Sequence, residues 1–201
     1  MKSKLTVGVT GGIGSGKSYI CKILENMGYP VFYADQSAKS LLSKNPTLIS
    51  KIKDLLGEDA YHHNNTINRK YIANQIFGDD SKLAAINNLV HPVVREAFSD
   101  FVNVQDSSVV FNEAAIIFET GSYKQFDKTI LVTAPLETKV KRILKRDATT
   151  IPEIETRMEK QWSDERKISL ADYTVNNDSE VMLLPQIIDI ISSLEKINKL
   201  K

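Results

Sequence analysis

Eight residues near the amino terminus, Gly11-Gly12-Ile13-Gly14-Ser15-Gly16-Lys17-Ser18, constrain the fold of this chain more than any other feature. They satisfy Gly-x-x-x-x-Gly-Lys-Ser in full, directly after the run Leu5–Thr10 and directly before a helical pattern, Lys17–Met27. Glycines let such a loop turn its successive N–H groups inward at phosphate oxygens, and the following helix adds the positive end of its dipole. In that chemistry Gly12, Ile13, Gly14, Ser15 and Gly16 bind a nucleotide through the backbone, with Tyr19 beside them at the helix start. Lys17 sets a point charge on the β- and γ-phosphates, and the Ser18 hydroxyl ligates Mg²⁺.

The rest of the chain repeats the strand-then-helix rhythm. Val31–Tyr33, Ser108–Asn112, Thr129–Thr133 and Tyr173–Asn176 have the β-branched and aromatic content of strands. Leu136–Lys145 and Val181–Ile197 carry apolar residues at helical spacing. Five short strands alternating with helices predict an α/β fold, a five-stranded parallel sheet flanked by helices. Residues 35–106 break the rhythm with helical blocks at Gln36–Leu42, Pro46–Leu56, Arg69–Phe77 and Lys82–Asn103, which predicts a helical lobe inserted after the second strand. Residues 1–34 and 107–201 then form the nucleotide-binding core. A polar, doubly charged stretch at about 146–167, helical after Pro152, predicts a mobile lid.

Composition narrows the function classes. At 201 residues and 42% apolar, the chain can bury one good core with a small appended lobe. A net charge of +1 offers no bulk field for nucleic acid or an acidic membrane. The unbroken apolar runs fall far short of the roughly 20 residues that span a bilayer. The lone Cys21 cannot form an internal disulfide and reads as a small apolar residue on the inner face of a helix. These features predict a soluble cytoplasmic protein, a monomer or weak homo-oligomer, with small-molecule partners. No guanine-reading Asn-Lys-x-Asp is present, which argues against a switch GTPase, and large ATPase machines need more chain. A small-molecule kinase with an acceptor lobe and an arginine-bearing lid remains.

Asp35 follows the second strand, where open α/β sheets bind ligands, and can accept the proton of an attacking hydroxyl. It can equally cap a helix beginning at Gln36. Glu113, at the end of the third strand run, can orient Mg²⁺ through water or stand in a solvated loop. Arg142 and Arg146 share a helix face and can stabilise a transferring phosphoryl group or simply face solvent. His91, before Pro92, fits packing or a local hydrogen bond. His62 and His63, in the polar stretch His62–Thr66, read as a solvated loop lacking a third metal ligand.

The ordered set of these landmarks resembles the dephospho-coenzyme A kinases, from about Leu5 to Asp178. It comprises Thr10–Ser18, Ala34-Asp35, His91-Pro92, Glu113, Ile116-Ile117-Phe118-Glu119, Lys145-Arg146-Asp147, Ala171-Asp172 and Asn176-Asn177. The resemblance implies the P-loop kinase fold and the last step of coenzyme A biosynthesis, with ATP phosphorylating the ribose 3′-hydroxyl of dephospho-CoA. It makes Asp35 the catalytic base, the inserted lobe the CoA-binding domain, and Arg142 and Arg146 lid contacts to ATP. Asp35, Lys39, His91 and Glu113 then serve the substrate, and Asn176 and Asn177 lie near the adenine. Three positions depart from the family pattern: Tyr33 for an aspartate, Lys39 for an arginine and Ala115 for a proline. Lys39 keeps the charge and loses the bidentate fork. The nearest alternatives are a nucleoside-monophosphate or sugar kinase with another acceptor, and a non-catalytic ATP-sensing module.

Overall fold

The β-branched runs pair into a five-stranded, all-parallel sheet in a computed structural model, which describes residues 4–64, 66–178 and 180–200. The strands are β1 (Leu5–Thr10), β2 (Val31–Tyr33), β3 (Val109–Glu113), β4 (Lys128–Thr133) and β5 (Tyr173–Asn176), in the order β2-β3-β1-β4-β5. β1 is therefore central, with later strands added on both of its sides, and the glycine-rich loop leaves its carboxyl end. Such a reversal of strand order marks the ligand crevice of open α/β sheets.

Strand alternation assigns the two faces. Leu5, Val7 and Val9 of β1 join Val109, Phe111, Ile130, Val132 and Val175 in one apolar cluster. Helix α1 (Lys17–Asn26) contributes Ile20, Cys21 and Leu24 to that cluster, and the C-terminal helix contributes Ile187, Ile191 and Leu194. Cys21 is wholly buried there, as its helical position predicts, and burial pushes its thiol well above the usual range. On the opposite face Leu131 packs with Ile117, Phe118, Phe126 and Trp162. A Cβ at Gly8 would lie 2.7 Å from the Phe126 ring, so a side chain at that position would displace the ring. Each fully buried aliphatic side chain is worth roughly 1.5–3 kcal/mol, and alternation is what lets one short strand serve both layers.

Residues Ala34–Val104 form one compact unit; Met1–Tyr33 and Gln105–Lys201 form the other. The first of these is helical: α2 (Ala34–Lys44), α3 (Pro46–Leu56), a 3₁₀ turn (Glu58–Ala60), α4 (Arg69–Ile76) and α5 (Asp80–Asn103). Its starts are local chemistry. Asn45, Asn68 and Asp79 accept the backbone N–H of Leu48, Tyr71 and Lys82 at 3.0–3.1 Å. Leu48, Ile52, Leu56, Tyr61 and Val90 make its own core. Helix α5 runs through Pro92, which has no N–H to give Asn88. His62 and His63 are exposed; of the polar stretch that holds them, Asn65 lies outside the described residues.

The sheet-containing unit adds a 3₁₀ turn (Ser122–Gln125), α6 (Leu136–Arg146), α7 (Ile151–Glu159), α8 (Asp164–Ile168) and α9 (Leu183–Leu200). The stretch predicted as one helical segment after Pro152 is two helices. Pro152 lies in the first turn of α7, and Ser163 caps α8 by accepting the Arg166 N–H at 3.4 Å. Among the described residues no helix is long and apolar enough to cross a membrane.

Candidate active site

The cradle has the backbone its glycines allow. Gly14 (φ 78°) and Gly16 (φ 92°) are left-handed, a conformation that side chains other than glycine's rarely adopt. Close approach matters as much. A Cβ on Gly14 would stand 2.7 Å from the Lys139 carbonyl, one on Gly11 would collide with the Val132 carbonyl, and one on Gly16 with the Asn177 side-chain amide. Gly16 is also the N-cap of α1, whose first turn is closed by Tyr19 and Ile20 N–H groups donating to its carbonyl. Lys17 donates to the Gly11 and Gly12 carbonyls at 2.8 and 3.4 Å, so its ammonium lies across the loop. Ser18 and Tyr19 are exposed in the first turn of α1. A left-handed glycine loop, an ammonium drawn across it and a helix N-terminus form an arrangement into which a chain of phosphates fits.

The two lid arginines separate, although they lie one turn apart on α6. Arg142 turns inward and donates to the Ser15 carbonyl at 3.2 Å and to the Asn177 carbonyl and side-chain oxygen at 3.1 and 3.2 Å. Asn177, itself buried, donates its amide to the same Ser15 carbonyl at 2.7 Å. Arg146 is exposed and forks onto Asp147 at 2.8 and 3.0 Å, which raises its pKa, while Asp147 also meets Arg157. Asn177 thus braces the cradle directly. Asn176 is exposed, its backbone exchanging hydrogen bonds with Gln186.

Glu113 is buried inside β3, opposite Val9 and Tyr33, which removes the solvated-loop alternative. The run stops one residue later than Ser108–Asn112 predicts because Glu113 still pairs on both sides. Its charge is felt locally. Burial first, then the neighbouring Cys21, Glu25 and Glu113, raise the Tyr33 hydroxyl pKa well above the ordinary range. Tyr33 therefore stays neutral where the family pattern has an acid. Among the described residues no three acidic, histidine or cysteine side chains cluster to hold a metal. A cation here would need Ser18 and ligand oxygens together.

Asp35 lies within the first turn of α2, because the helix begins at Ala34 and not at Gln36. It is a favourable charge near a helix N-terminus and not the cap residue. Asp35 and Lys39 are exposed, one helical turn apart. His91 sits mid-helix in α5, where partial desolvation and then the Arg95 cation lower its pKa, favouring the neutral imidazole near neutral pH.

Four further contacts hold residues 161–167 in place beside the cradle. Gln161 accepts the Ile13 N–H at 2.9 Å, and Lys139 pairs with Asp164 at 2.5 Å beside Gly12. Glu119 accepts the Trp162 N–H at 3.0 Å and pairs with wholly buried Lys167 at 2.8 Å. The carboxyl end of the predicted lid is thereby tied to the sheet-containing unit. Glu119 belongs to the landmark Ile116–Glu119; for Gln161, Lys139 and Asp164 the sequence holds no local signal, since the partners lie far apart along the chain.

The family model for dephospho-CoA kinase matches residues 5–182. A dephospho-CoA kinase of Chlorobium luteolum is 41% identical over 179 residues, covering 86% of this chain and 82% of that protein. Among solved structures, a Thermus thermophilus protein superposes with a TM-score of 0.85 at 29% identity, covering 96% of this chain and 98% of the other. The dephospho-CoA kinase of Campylobacter jejuni gives 0.69 at 25% identity with the same coverage. With its P-loop kinase fold and a match running from β1 to the start of α9, the chain belongs to the dephospho-CoA kinase family.

Proposed function

We propose that the chain transfers the γ-phosphoryl group of ATP to the ribose 3′-hydroxyl of dephospho-CoA, yielding CoA and ADP. The observation that carries this is the complete cradle: left-handed Gly14 and Gly16, Lys17 drawn across the loop, and a helix N-terminus behind it, in a member of this family. Lys17 neutralises the β- and γ-phosphates, and backbone amides of the glycine loop other than Ile13, with those that open α1, hold them in line. Ser18, with Glu113 behind it through water, would hold Mg²⁺, which would supply neutralisation of the phosphate charge. Asp35 takes the proton of the 3′-hydroxyl as its oxygen bonds to the γ-phosphorus and the bond to the ADP oxygen breaks. Arg142, already fixed at Ser15, and Arg146, exchanging Asp147 for the phosphoryl group, stabilise the charge of the transition state.

The helical unit 34–104 receives the CoA portion, with Lys39 and His91 as its polar contacts. Asn176 and Asn177 border the adenine. The protein works in the cytoplasm as a monomer or weak homo-oligomer, without nucleic acid or membrane partners.

The test is purified protein with ATP, Mg²⁺ and dephospho-CoA, watched for CoA by mass spectrometry beside the Asp35→Asn variant. Asp35→Asn keeps shape and removes the proton acceptor, so turnover falls roughly 10²- to 10⁴-fold while ATP affinity by calorimetry barely moves. Retained turnover in the variant overturns the base; absence of CoA from the parent protein, with AMP or a sugar phosphorylated instead, overturns the acceptor.

A further inference from the structure

Residues 161–167 lie across the tip of the phosphate loop and are held from the far side. Gln161 is half-buried, and its side-chain carbonyl accepts the Ile13 N–H at 2.9 Å. One turn of chain later Asp164 pairs with Lys139, and a Cβ on Gly12 would stand 3.4–3.8 Å from Lys139 Nζ, Asp164 Oδ1 and Gln161 Oε1 together. Three polar side chains, from α6, α8 and the turn between α7 and α8, therefore converge on the peptide joining Gly12 and Ile13. Behind them Trp162 joins the apolar cluster of Phe118 and Leu131, under the Arg166 guanidinium at 3.3 Å. Glu119 then fixes both ends of the segment through Trp162 N and Lys167 Nζ.

A loop with glycines at 11, 12, 14 and 16 is free to rotate its peptides, and only some orientations aim the amides at phosphate. The Gly12–Ile13 peptide is held in one orientation by the Gln161 carbonyl. We propose that Gln161 is a positioning residue of the phosphate loop, delivered to Ile13 by a strap, residues 161–167, that Glu119 clamps to the sheet. The function of this strap is to keep the cradle assembled before nucleotide arrives. It follows that the moving part of the predicted lid is confined to the residues before Gln161. The inference rests on the ATP-binding reading above, and its test includes a measurement that does not.

That measurement is exchange of the Ile13 amide hydrogen by NMR in the parent protein, Gln161→Leu and Gln161→Glu. Loss of one hydrogen bond accelerates Ile13 exchange by about 2- to 12-fold in Gln161→Leu. Gln161→Glu, whose carboxylate accepts the same bond, retains slow exchange. Calorimetry with ATP and Mg²⁺ then gives a dissociation constant raised by a similar factor, about 2- to 12-fold, in Gln161→Leu. Steady-state kinetics show the change in KM for ATP, with kcat and KM for the acceptor held. Unchanged exchange and affinity in Gln161→Leu overturn the proposal. So does tighter ATP binding, which would make the Gln161 carbonyl a competitor for the amide. Should Gln161→Leu fail to fold, Lys139→Met, which frees Asp164 and loosens the same strap, is read in the same two ways. A parent protein that binds no ATP refutes the donor reading and leaves Ile13 exchange to decide on Gln161.

Discussion

Breaking the Glu119–Lys167 pair tests how firmly the strap is held. Lys167 is 0% exposed and the Glu119 side chain 12%, with Nζ and Oε1 2.8 Å apart. Water therefore cannot take the place of a lost partner at Lys167, and removing one member of such a pair costs about 3–5 kcal/mol. Glu119→Gln keeps the volume and an acceptor for the Trp162 N–H while stranding the ammonium. Lys167→Met keeps the stem and strands the carboxylate, which retains the Trp162 N–H and slight solvent contact, so its cost falls toward the lower end. The double variant leaves no buried charge and recovers most of the loss, because replacing both partners is often neutral. Trp162, the chain's single tryptophan, lies in the strap, so its fluorescence reports unfolding at the place perturbed. For a chain of this size about 2–4 °C accompanies each kcal/mol, which predicts a midpoint lowered by roughly 6–20 °C in Glu119→Gln. A loss under about 1 kcal/mol, the range of solvent-exposed pairs, refutes the burial argument. Losses that add in the double variant, without compensation, refute the pairing itself.

Gly16→Ala combines a left-handed backbone with a collision at the Asn177 amide, and we expect stability to fall by roughly 1–3 kcal/mol or more. ATP affinity by calorimetry should fall at least about tenfold with it, and near-parental affinity would contradict the loop geometry. At Asp172, burial pushes the carboxyl upward, but hydrogen bonds from Lys128 and Thr129 outweigh it and hold the pKa below the ordinary carboxylate value. A depressed folded pKa contributes stability that is complete above the unfolded value, near pH ~4, and is lost as pH falls through the folded one. Thermal midpoints of the parent and Asp172→Asn should therefore differ at pH 7 and converge toward pH ~2. A constant difference across that range would disprove the linkage.

Local patterns sufficed for much of this fold. The strands at Leu5–Thr10, Val31–Tyr33 and Tyr173–Asn176 and the helix Pro46–Leu56 have their expected bounds, since each rests on alternation, helical spacing or a capping asparagine within its own segment. The cradle was equally legible, because glycine spacing encodes a backbone shape without distant help. Boundaries slipped where a neighbour decides: β3 extends to Glu113 because β1 and β2 both continue to pair with it. The helix predicted from Gln36 starts at Ala34, leaving β2 no loop.

What a charged side chain does here depended on tertiary structure. Arg142 and Arg146 have the same spacing and chemistry, yet one is drawn onto Ser15 and Asn177 and the other onto Asp147. Helical periodicity predicts that they share a face and carries no information about what that face meets. The Gln161 contact at Ile13 spans 148 positions, and the Glu119 contact at Trp162 spans 43. Such partners are brought together by the sheet and its crossovers, after the chain has folded, so no window of sequence contains both. The amino-acid sequence by itself determined the phosphate cradle and the layered sheet that carries it; the packed fold decided which side chains brace that cradle, because burial and long-range hydrogen bonding select partners that local pattern does not encode.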